Sequence, residues 1–489
     1  MNGARIARAR VWKGILSHIR PTTLVTRLCS LALVALLLAA CDLGGSDAAL
    51  APPGQPPGGA APREGVARIV PEPIAWPVRA RGRQLVDARG TPVLLHGTAP
   101  WSAIVNLTRD EMDRYLEDRA RKGFNALYVN LIEYTFSNQT PSWRNVNGDD
   151  PFVGTVDGYV PDMTDPNEPY WEHADYFVRR AGELGIVVIA FPAYSGWQQG
   201  FDGWSDAMRV NGPGRLRTYG RFLGARYRDS PHVIWSAGGD WGPNGPLWDL
   251  TEHVAQWVEG IRETDRDQVW TGHGGQESGI EVYGYLGLDL NTTYRYPVAE
   301  VPDAVYLDYQ RTPTTPFVFF EGRYENESEG TALNMRRQAY AALLGGAFGQ
   351  FYGNAPLWFM GEGWEAALDD PGAMSMVHVG DLARSRSLHT LVPDYDAQTV
   401  TGDRGDRRTG GWVPAARAED GSTVVAYVPD GRSVTVDMGR VAGPLAQAWC
   451  YSPVTGGAAD LGRFPTAGER AFEACAAPDW VLVLDAVAE

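Results

Sequence analysis

Residues 93–132, VLLHGTAPWSAIVNLTRDEMDRYLEDRARKGFNALYVNLI, contain the alternation that decides the fold. Val93–Gly97 and Ala126–Ile132 are continuous apolar runs, which is typical of parallel strands buried on both faces. Between them, Thr108 and Glu111 form the T-x-x-E pattern of a helix capping box. A strand, a capped helix and a second buried strand make one β/α unit.

The same alternation continues along the chain. Six further apolar runs predict strands at Ile186–Phe191, Val233–Ala237, Val269–Gly272, Leu290–Tyr294, Phe317–Phe320 and Ala347–Tyr352. Helices are predicted at Thr108–Lys122, Trp171–Leu184, Arg215–Arg228, Leu247–Arg262 and Ala332–Leu344. Eight β/α units in about 300 residues are the size of a (β/α)8 TIM barrel, which we place at 73–390. A doubly wound open sheet is the alternative, but no GxGxxG or P-loop pattern follows the first strand.

Two hairpin regions flank this barrel. Gln84–Leu95 predicts a hairpin around Ala88-Arg89-Gly90, placed to close the barrel floor. After residue 390 the chain changes to short strands, which predict a small antiparallel β-sandwich over 391–489. Its strands are Trp412–Ala416, Thr423–Val428, Ser433–Met438, Ala446–Tyr451 and Trp480–Leu484, and the turns between them are Asp420-Gly421, Asp430-Gly431 and Gly456-Gly457.

The N-terminus predicts export. Residues 1–27 carry only basic charges, and Leu28–Ala40 is apolar but too short to span a bilayer, as in a signal peptide. The run ends in Leu38-Ala39-Ala40-Cys41, which resembles a bacterial lipobox with Cys41 as the lipidated residue. The alternative is an ordinary secretory signal with a chance cysteine. We expect a signal peptide over 1–40, a Pro/Gly-rich tether over 41–72, and an extracytoplasmic, lipid-anchored protein that contacts the membrane only through its lipid.

The cysteine positions and the net charge argue against metal-dependent and nucleic-acid-binding classes of protein. Once Cys29 leaves with the signal and Cys41 is lipidated, Cys450 and Cys475 remain as a predicted disulfide on late strands of the sandwich. The sequence has no CxxC, HxH or HExxH pattern, so we expect no metal and no cofactor. With 59 acidic against 43 basic residues, the net charge of −16 argues against nucleic-acid binding. We expect a monomer that acts on carbohydrate.

Two carboxylates follow strands on opposite sides of the predicted barrel, at the end where TIM barrels carry their active sites. Asp240 follows the fourth strand and Glu321 ends the seventh. Glycoside hydrolysis needs such a pair, about 5–5.5 Å apart in retaining enzymes and about 6.5–9.5 Å apart in inverting ones. We expect Arg323 to keep Glu321 ionised as the nucleophile, and the less charged surroundings of Asp240 to raise its pKa for acid catalysis.

Polar and aromatic side chains at the other strand ends suit a sugar ligand, since aromatic faces pack against sugar rings and polar groups bind hydroxyls. The predicted substrate-binding residues are Trp101, Asn130, Glu133, Tyr194, Trp241, His273, Tyr294, Tyr324 and Asn354. For His273 we also expect support of the nucleophile as an alternative role.

Several stretches carry a family resemblance. GTAPW (97–101) with the segment 107–133, FPAY (191–194), WSAGGDW (235–241), FVFFEGRYE (317–325) and FGQFYGNAPLW (348–358) look like the apiosidase-like barrel family, glycoside hydrolase family 140. The last 100 residues are similar to the sandwich that usually follows this barrel and is labelled as collagen-binding. The resemblance implies retaining hydrolysis, with Asp240 as acid/base and Glu321 as nucleophile. One departure is Trp241-Gly242-Pro243, where the family often has Asn after GGD.

Two functions of different classes remain open. The first is a retaining exo-glycosidase that acts on the side chain of a plant-type or bacterial polysaccharide. The second is a non-catalytic surface lipoprotein that binds a glycan or a collagen-like protein. Paired carboxylates favour the enzyme, because a binding protein has no need of them at these two strand ends.

Overall fold

The computed structural model describes residues 71–487. The predicted signal peptide, the lipidation site at Cys41 and nearly all of the tether lie outside these residues. Two hairpins and eight parallel strands make up the N-terminal part, in chain order β1 Arg79–Arg81, β2 Gln84–Val86, β3 Leu95–Thr98, β4 Ala126–Asn130, β5 Thr155–Val156, β6 Val160–Pro161, β7 Val187–Phe191, β8 Val233–Gly238, β9 Trp270–His273, β10 Asn291–Tyr294, β11 Phe317–Glu321 and β12 Gly349–Tyr352.

The eight parallel strands form a nearly closed barrel, which confirms the predicted fold class. Their hydrogen-bonded order is β10-β11-β12-β3-β4-β7-β8-β9. At the remaining seam between β9 and β10, the Leu290 amide donates to the Trp270 carbonyl over 3.1 Å, and the Thr271 hydroxyl donates to the Leu290 carbonyl over 3.0 Å. This cyclic order excludes the doubly wound sheet, which would leave two strands at free edges.

Helices surround the barrel, in chain order α1 Ala103–Asn106, α2 Arg109–Arg121, α3 Glu168–Glu183, α4 Ser205–Tyr227, α5 Thr251–Thr264, α6 Gly279–Tyr283, α7 Val301–Tyr309, α8 Ala332–Leu344, α9 Ala355–Trp358, α10 Trp364–Ala367 and α11 Pro371–Ser385. The capping box at Thr108 and Glu111 is present. Helix α4 begins earlier than the sequence predicts, because Gly212, at φ +74°, lets a preceding helical segment join the one that starts at Pro213. None of the helices within 71–487 has the length and apolar character needed to cross a membrane.

The hairpin before the barrel differs from the prediction. Strand β2 pairs with β1, which the sequence analysis missed, in the register Arg79 with Val86. The predicted return around Gly90 is present: the Asp87 amide donates to the Thr91 carbonyl over 2.9 Å, the Val93 amide donates to the Leu85 carbonyl over 2.8 Å, and Val86 and Pro92 form an antiparallel bridge. The second arm then continues into the barrel, since Leu95 begins β3.

The C-terminal part is a β-sandwich. Its strands are β13 Val392–Pro393, β14 Ala415–Arg417, β15 Thr423–Val428, β16 Val434–Asp437, β17 Leu445–Tyr451, β18 Ala458–Pro465, β19 Glu469–Phe472 and β20 Trp480–Val487. Six form an antiparallel sheet in the order β13-β14-β15-β20-β17-β18, and β16 pairs with β19. The turns at Asp420-Gly421 and Gly456-Gly457 close hairpins. Asp430-Gly431 does not, because it carries the chain from β15 in one sheet to β16 in the other.

A disulfide joins Cys450 to Cys475, whose Cα atoms are 6.2 Å apart. Cys450 lies on β17, as expected for a strand position. Cys475 was expected on a strand as well, but it lies in the loop between β19 and β20. The cross-link therefore ties this loop to the six-stranded sheet.

A buried ion pair connects the sandwich to the barrel. The guanidinium of Arg336 on α8 donates to both carboxylate oxygens of Asp479, from Nε over 2.8 Å and from Nη2 over 2.7 Å. The hydroxyl of Tyr427 on β15 also donates to this carboxylate over 2.8 Å, and its ring stacks on that of Tyr340 with centroids 4.5 Å apart. The contact between the two parts thus includes charged, polar and aromatic groups.

Candidate active site

A cavity of about 490 Å³ opens at the carboxyl ends of the barrel strands. It brings together most of the predicted site residues, namely Trp101, Asn130, Glu133, Tyr194, Asp240, Tyr294, Glu321 and Tyr324. Further lining residues that the sequence analysis did not select are Phe136, Trp197, Asp202, Gln276, Tyr296, Glu327 and Trp358. Trp358 lies within the quoted family stretch, and Tyr296 lies just beyond a strand end, so both carried a signal. The other five lie on loops, where no periodicity marks a functional residue.

The backbone at the end of β8 holds Asp240 in an uncommon conformation. Asp240 has φ +51°, and the preceding Gly238 and Gly239 have φ +94° and +132°. A Cβ at Gly238 would overlap the hydroxyl of Tyr283 and the carbonyl oxygen of His273. The Gly-Gly-Asp sequence is therefore required by the geometry, and a non-glycine residue at positive φ is a feature of functional sites.

Asp240 and Glu321 face each other beside His273. Glu321 ends β11, and its Oε2 lies 2.7 Å from His273 Nε2, while Asp240 Oδ1 lies 3.9 Å from the same nitrogen. One oxygen of each carboxylate and one imidazole nitrogen all lie within 4.8 Å of one another. The two carboxylates are thus close enough to influence each other's ionisation strongly.

Burial raises the pKa of both carboxyls. For Asp240 burial is the main cause, and the negative charge of Glu321 raises the pKa further, to about 7. Hydrogen bonding from Tyr194, whose hydroxyl donates to Asp240 Oδ2 over 2.7 Å, opposes this rise. Burial also raises the pKa of Glu321, to about 8. Because two nearby like charges in a buried site repel, the pair retains one proton over a wide pH range.

The prediction that Arg323 keeps Glu321 ionised is wrong. The Arg323 guanidinium instead lies over the ring of Tyr296, 4.2 Å from its centroid. The side chain next to the Glu321 carboxylate is His273, which is fully buried and whose pKa burial lowers to about 4. Its ring is therefore neutral at neutral pH. The His273 Nε2 and Glu321 Oε2 atoms are in close contact, but the orientation of the ring does not form a hydrogen bond between them.

Tyrosine and tryptophan side chains form the wall next to Glu321. The indole N–H of Trp101 donates to the Tyr324 hydroxyl over 2.8 Å, and that hydroxyl lies 2.9 Å from the hydroxyl of Tyr128. His273 stacks on Tyr294 with ring centroids 5.0 Å apart. These contacts fix the rings that a sugar would meet.

Glu133 is a third buried carboxyl at the cavity. Its Oε1 accepts hydrogen bonds from the Ser102 hydroxyl and the Asn130 amide, each over 2.8 Å. The remaining atoms, Glu133 Oε2 and Asn130 Oδ1, are buried and have no hydrogen-bond partner among the described residues. Burial raises the pKa of Glu133 to about 7. Buried polar atoms without partners at a cavity are suited to binding substrate hydroxyls.

Three of the predicted substrate-binding residues do not line the cavity. His273 lies beneath it. Trp241 packs its indole edge-to-face against that of Trp197, with ring centroids 5.8 Å apart. Asn354 precedes helix α9, and its amide donates to Tyr352 and Asp370, so it orders the loop after β12.

The donor set of Asp240, His273 and Glu321 could also hold a metal ion. Sequence patterns gave no sign of this, because the three residues come from three separate strands. Five carboxyl groups line the cavity, and none of the described residues that line it is a Lys or Arg.

Comparisons with known proteins agree with this geometry. The family model described as "Apiosidase-like, catalytic domain" matches residues 79–390, and a second model, named after the collagen-binding domain of a collagenase, matches residues 392–485. A solved structure titled "Glycoside hydrolase" is 24% identical over 84% of this chain and 97% of its own, with a TM-score of 0.71. A glycoside hydrolase family 5 structure from Bacteroides vulgatus is 22% identical over 83% and 93%, with a TM-score of 0.70. A search of curated proteins found no match.

Proposed function

Because the chain belongs to the apiosidase-like family and is a glycosidase, we propose that it cleaves glycosidic bonds with retention of configuration, using Glu321 as nucleophile and Asp240 as acid/base. The observation that carries this proposal is the spacing of the two carboxylates, whose oxygens lie within 4.8 Å of each other. That spacing fits direct attack at the anomeric carbon. An inverting enzyme holds its two carboxyl groups further apart, about 6.5–9.5 Å, to place a water between substrate and base.

In the first step, a Glu321 oxygen attacks the anomeric carbon and forms a glycosyl ester. The bond to the leaving oxygen breaks, and Asp240 gives its proton to that oxygen. The ionised Asp240 then takes a proton from water, the water oxygen attacks the anomeric carbon, and Glu321 leaves as a carboxylate. The first step consumes the proton of the pair and the second restores it from water, so the cycle begins and ends with the singly protonated pair that mutual repulsion favours.

The cavity also indicates the charge of the substrate. Five carboxyl groups line the cavity, and none of the described lining residues is a Lys or Arg that could bind the carboxylate of a sugar acid. We therefore propose an uncharged glycosyl group, held between the Trp101–Tyr324 wall and the free polar atoms of Asn130 and Glu133. The alternative of a non-catalytic binding protein does not account for the strained backbone that positions Asp240.

An aryl-glycoside screen tests the proposal, with Glu321→Gln and Asp240→Asn beside the unchanged protein. Glu321→Gln should be nearly inactive on every substrate. Asp240→Asn should form the glycosyl ester from an activated aryl glycoside but stall at its hydrolysis, and azide should restore turnover with retained configuration. Glu325→Gln is the matched control, because Glu325 is a buried glutamate that bonds to Tyr352 and the Gly372 amide and does not line the cavity.

Other outcomes would contradict the assignment. An inverted product would exclude the ester, and azide rescue with retained configuration in Glu321 variants alone would reverse the two roles. The same assay in the presence of a chelator examines the metal alternative, and we expect no loss of turnover. Activity that a chelator abolishes and a divalent ion restores would assign Asp240, His273 and Glu321 to a metal site.

A further inference from the structure

Beside the cavity, two loops expose large apolar side chains to solvent. Trp197 and Phe201 lie on the loop after β7 and are 41% and 92% exposed, and Leu247 and Trp248 lie on the loop after β8 and are 53% and 38% exposed. We call these four residues the aromatic rim. Exposed apolar groups that cluster next to a binding cavity indicate a surface for another molecule, because a lone exposed residue is common but a contiguous group is not.

The two loops are held together by a buried side chain. Gln199 is 2% exposed, and its amide donates to the carbonyls of Pro243 over 3.0 Å and Trp248 over 2.9 Å. Its carbonyl oxygen accepts from the Trp248 amide over 2.8 Å. A glutamine that satisfies both its donor and its acceptor in the facing loop fixes the distance between the loops, so the rim has a defined shape before any ligand binds.

The rim is continuous with the cavity. Trp197 belongs to both, since it lines the cavity as well as the exposed surface. Trp241 supports it from behind with an edge-to-face contact. Trp241 stands where the family often has Asn, so this support is a property of this chain rather than of the catalytic pair.

The position of the rim assigns it to one side of the scissile bond. Asp240 directly precedes the loop that carries Leu247 and Trp248, and Tyr194, which donates to Asp240, directly precedes the loop that carries Trp197 and Phe201. A general acid contacts the glycosidic oxygen, so the leaving group lies on the acid's side, and the nucleophile approaches the other substituents of the anomeric carbon.

We propose that the aromatic rim binds the sugar residues of the leaving group, so that the substrate is a glycosyl unit attached to a carbohydrate chain. Pyranose and furanose rings present C–H faces that pack against Trp and Phe. The guanidinium of Arg209 lies over the Trp248 ring, 4.5 Å from its centroid, so a sugar would pack on the other face of that ring. This inference rests on the proposed function, because the leaving-group side is defined by Asp240 as the acid.

The test compares a polysaccharide with an aryl glycoside on the same variants. Release of sugar is measured from arabinan, galactan, xyloglucan, mannan, pectin and xanthan, and turnover is measured on the aryl glycoside that the unchanged protein hydrolyses. In the double variant Phe201→Ser/Trp248→Ser, the ratio of kcat/KM on the best polysaccharide to that on the aryl glycoside should fall about tenfold or more. Leu307→Ser is the control, because Leu307 is 55% exposed on α7 and is not part of the rim.

Each outcome bears on the proposal. An unchanged ratio in the double variant would overturn it, and so would turnover of aryl glycosides without release from any of these polysaccharides. Affinity electrophoresis of Glu321→Gln in gels containing the polysaccharide should show retardation that the added rim substitutions remove. If Glu321→Gln keeps its turnover, the proposed function is wrong, because that result concerns the nucleophile. The measurements on the rim variants do not depend on that result, so the two failures can be distinguished.

Discussion

Asp240 and Glu321 share a buried site in which the ionisation of one depends on the other. Their oxygens lie within 4.8 Å of each other, and His273 beside them is neutral at neutral pH because burial lowers its pKa to about 4. None of the described residues that line the cavity is a Lys or Arg that could compensate a second negative charge on the pair. The mechanism proposed for this pair requires its singly protonated form, with the proton on Asp240.

Tyr194→Phe should shift the high-pH limb of the activity profile upward. The Tyr194 hydroxyl donates to Asp240 and stabilises its ionised form, which lowers the Asp240 pKa. Without this bond the pKa rises, so Asp240 keeps its proton to higher pH and the limb should move by about one pH unit. Tyr219→Phe is the control, because it removes a buried hydroxyl that bonds only the Pro192 carbonyl. Equal profiles for the two variants would contradict the role of Tyr194.

Glu133→Gln should stabilise the protein increasingly as pH rises from about 4.5 to 7. Burial raises the pKa of Glu133 from 4.5 to about 7, so in this window the unfolded chain releases a proton that the folded chain retains. Folding stability therefore falls with pH through the window, and glutamine cannot contribute to that fall. Thermal unfolding of both proteins at pH 5 and pH 8 measures the effect.

Glu183→Gln is the control of opposite sign for this measurement. The pKa of Glu183 is lowered by hydrogen bonding from Arg179. Replacing the Glu183 carboxylate should therefore lower the free energy of unfolding at pH values above the ordinary pKa of a glutamate. A difference between Glu133→Gln and the unchanged protein that does not vary with pH would contradict the buried-carboxyl interpretation.

At the scale of elements, the end of β8 depends on glycine. Gly238→Ala should abolish turnover and destabilise the fold, because the new Cβ would overlap Tyr283 and the His273 carbonyl in addition to the strain of φ +94°. Gly185→Ala is the control, since Gly185 has φ +73° but nothing within 4 Å of the added Cβ. The control should lose only about 1–2 kcal/mol of the free energy of unfolding and keep its activity. Chemical denaturation and kcat distinguish the two, and equal losses would contradict the overlap.

The barrel strands and α8 could be predicted because they depend on local patterns. Continuous apolar runs mark strands buried on both faces, and the predicted helix Ala332–Leu344 has the observed bounds. Exposed edge strands and the segments that connect two sheets were harder to predict. Strand β1 was missed because Arg79–Arg81 is exposed and has no apolar residue except Ala80, and Asp430-Gly431 gave a hairpin signal although the chain crosses between sheets there.

The site could be predicted where a residue ends a strand, since the barrel brings strand ends together. Asp240, Glu321 and Tyr294 were found in this way. His273, also at a strand end, does not line the cavity but lies beside Glu321, where its alternative predicted role of supporting that residue would place it. Arg323 was misassigned because charge near a residue in sequence does not give the direction of a side chain.

At the scale of the whole molecule, the sandwich is attached to the barrel through specific buried contacts. Arg336 and Asp479 have side chains that are 4% and 0% exposed, and the Tyr451 hydroxyl donates to the His378 carbonyl on α11 over 2.7 Å. Such contacts leave little freedom for one part to move against the other. We therefore expect the sandwich to stabilise the barrel, whatever else its surface binds.

Removing one partner of the Arg336–Asp479 pair should destabilise the whole described chain. Asp479→Asn leaves a buried guanidinium without its counter-charge, which costs about 3–5 kcal/mol of the free energy of unfolding. Asp485→Asn is the matched control, because Asp485 accepts a similar two-point contact from Arg386 but the two side chains are 23% and 18% exposed. Solvent weakens that pair, so its loss should cost about 1 kcal/mol or less.

A third variant separates charge from packing. Arg336→Met/Asp479→Leu removes both charges, so it should cost less than the sum of the two single substitutions, with a coupling measured by a double-mutant cycle in chemical denaturation. If the buried pair also couples the stability of the two parts, Asp479→Asn should lower the unfolding midpoints of the barrel and of the sandwich together. Loss of aryl-glycoside turnover reports the unfolding of the barrel. Barrel unfolding that is unchanged while the sandwich unfolds earlier would show that the two parts are stable independently.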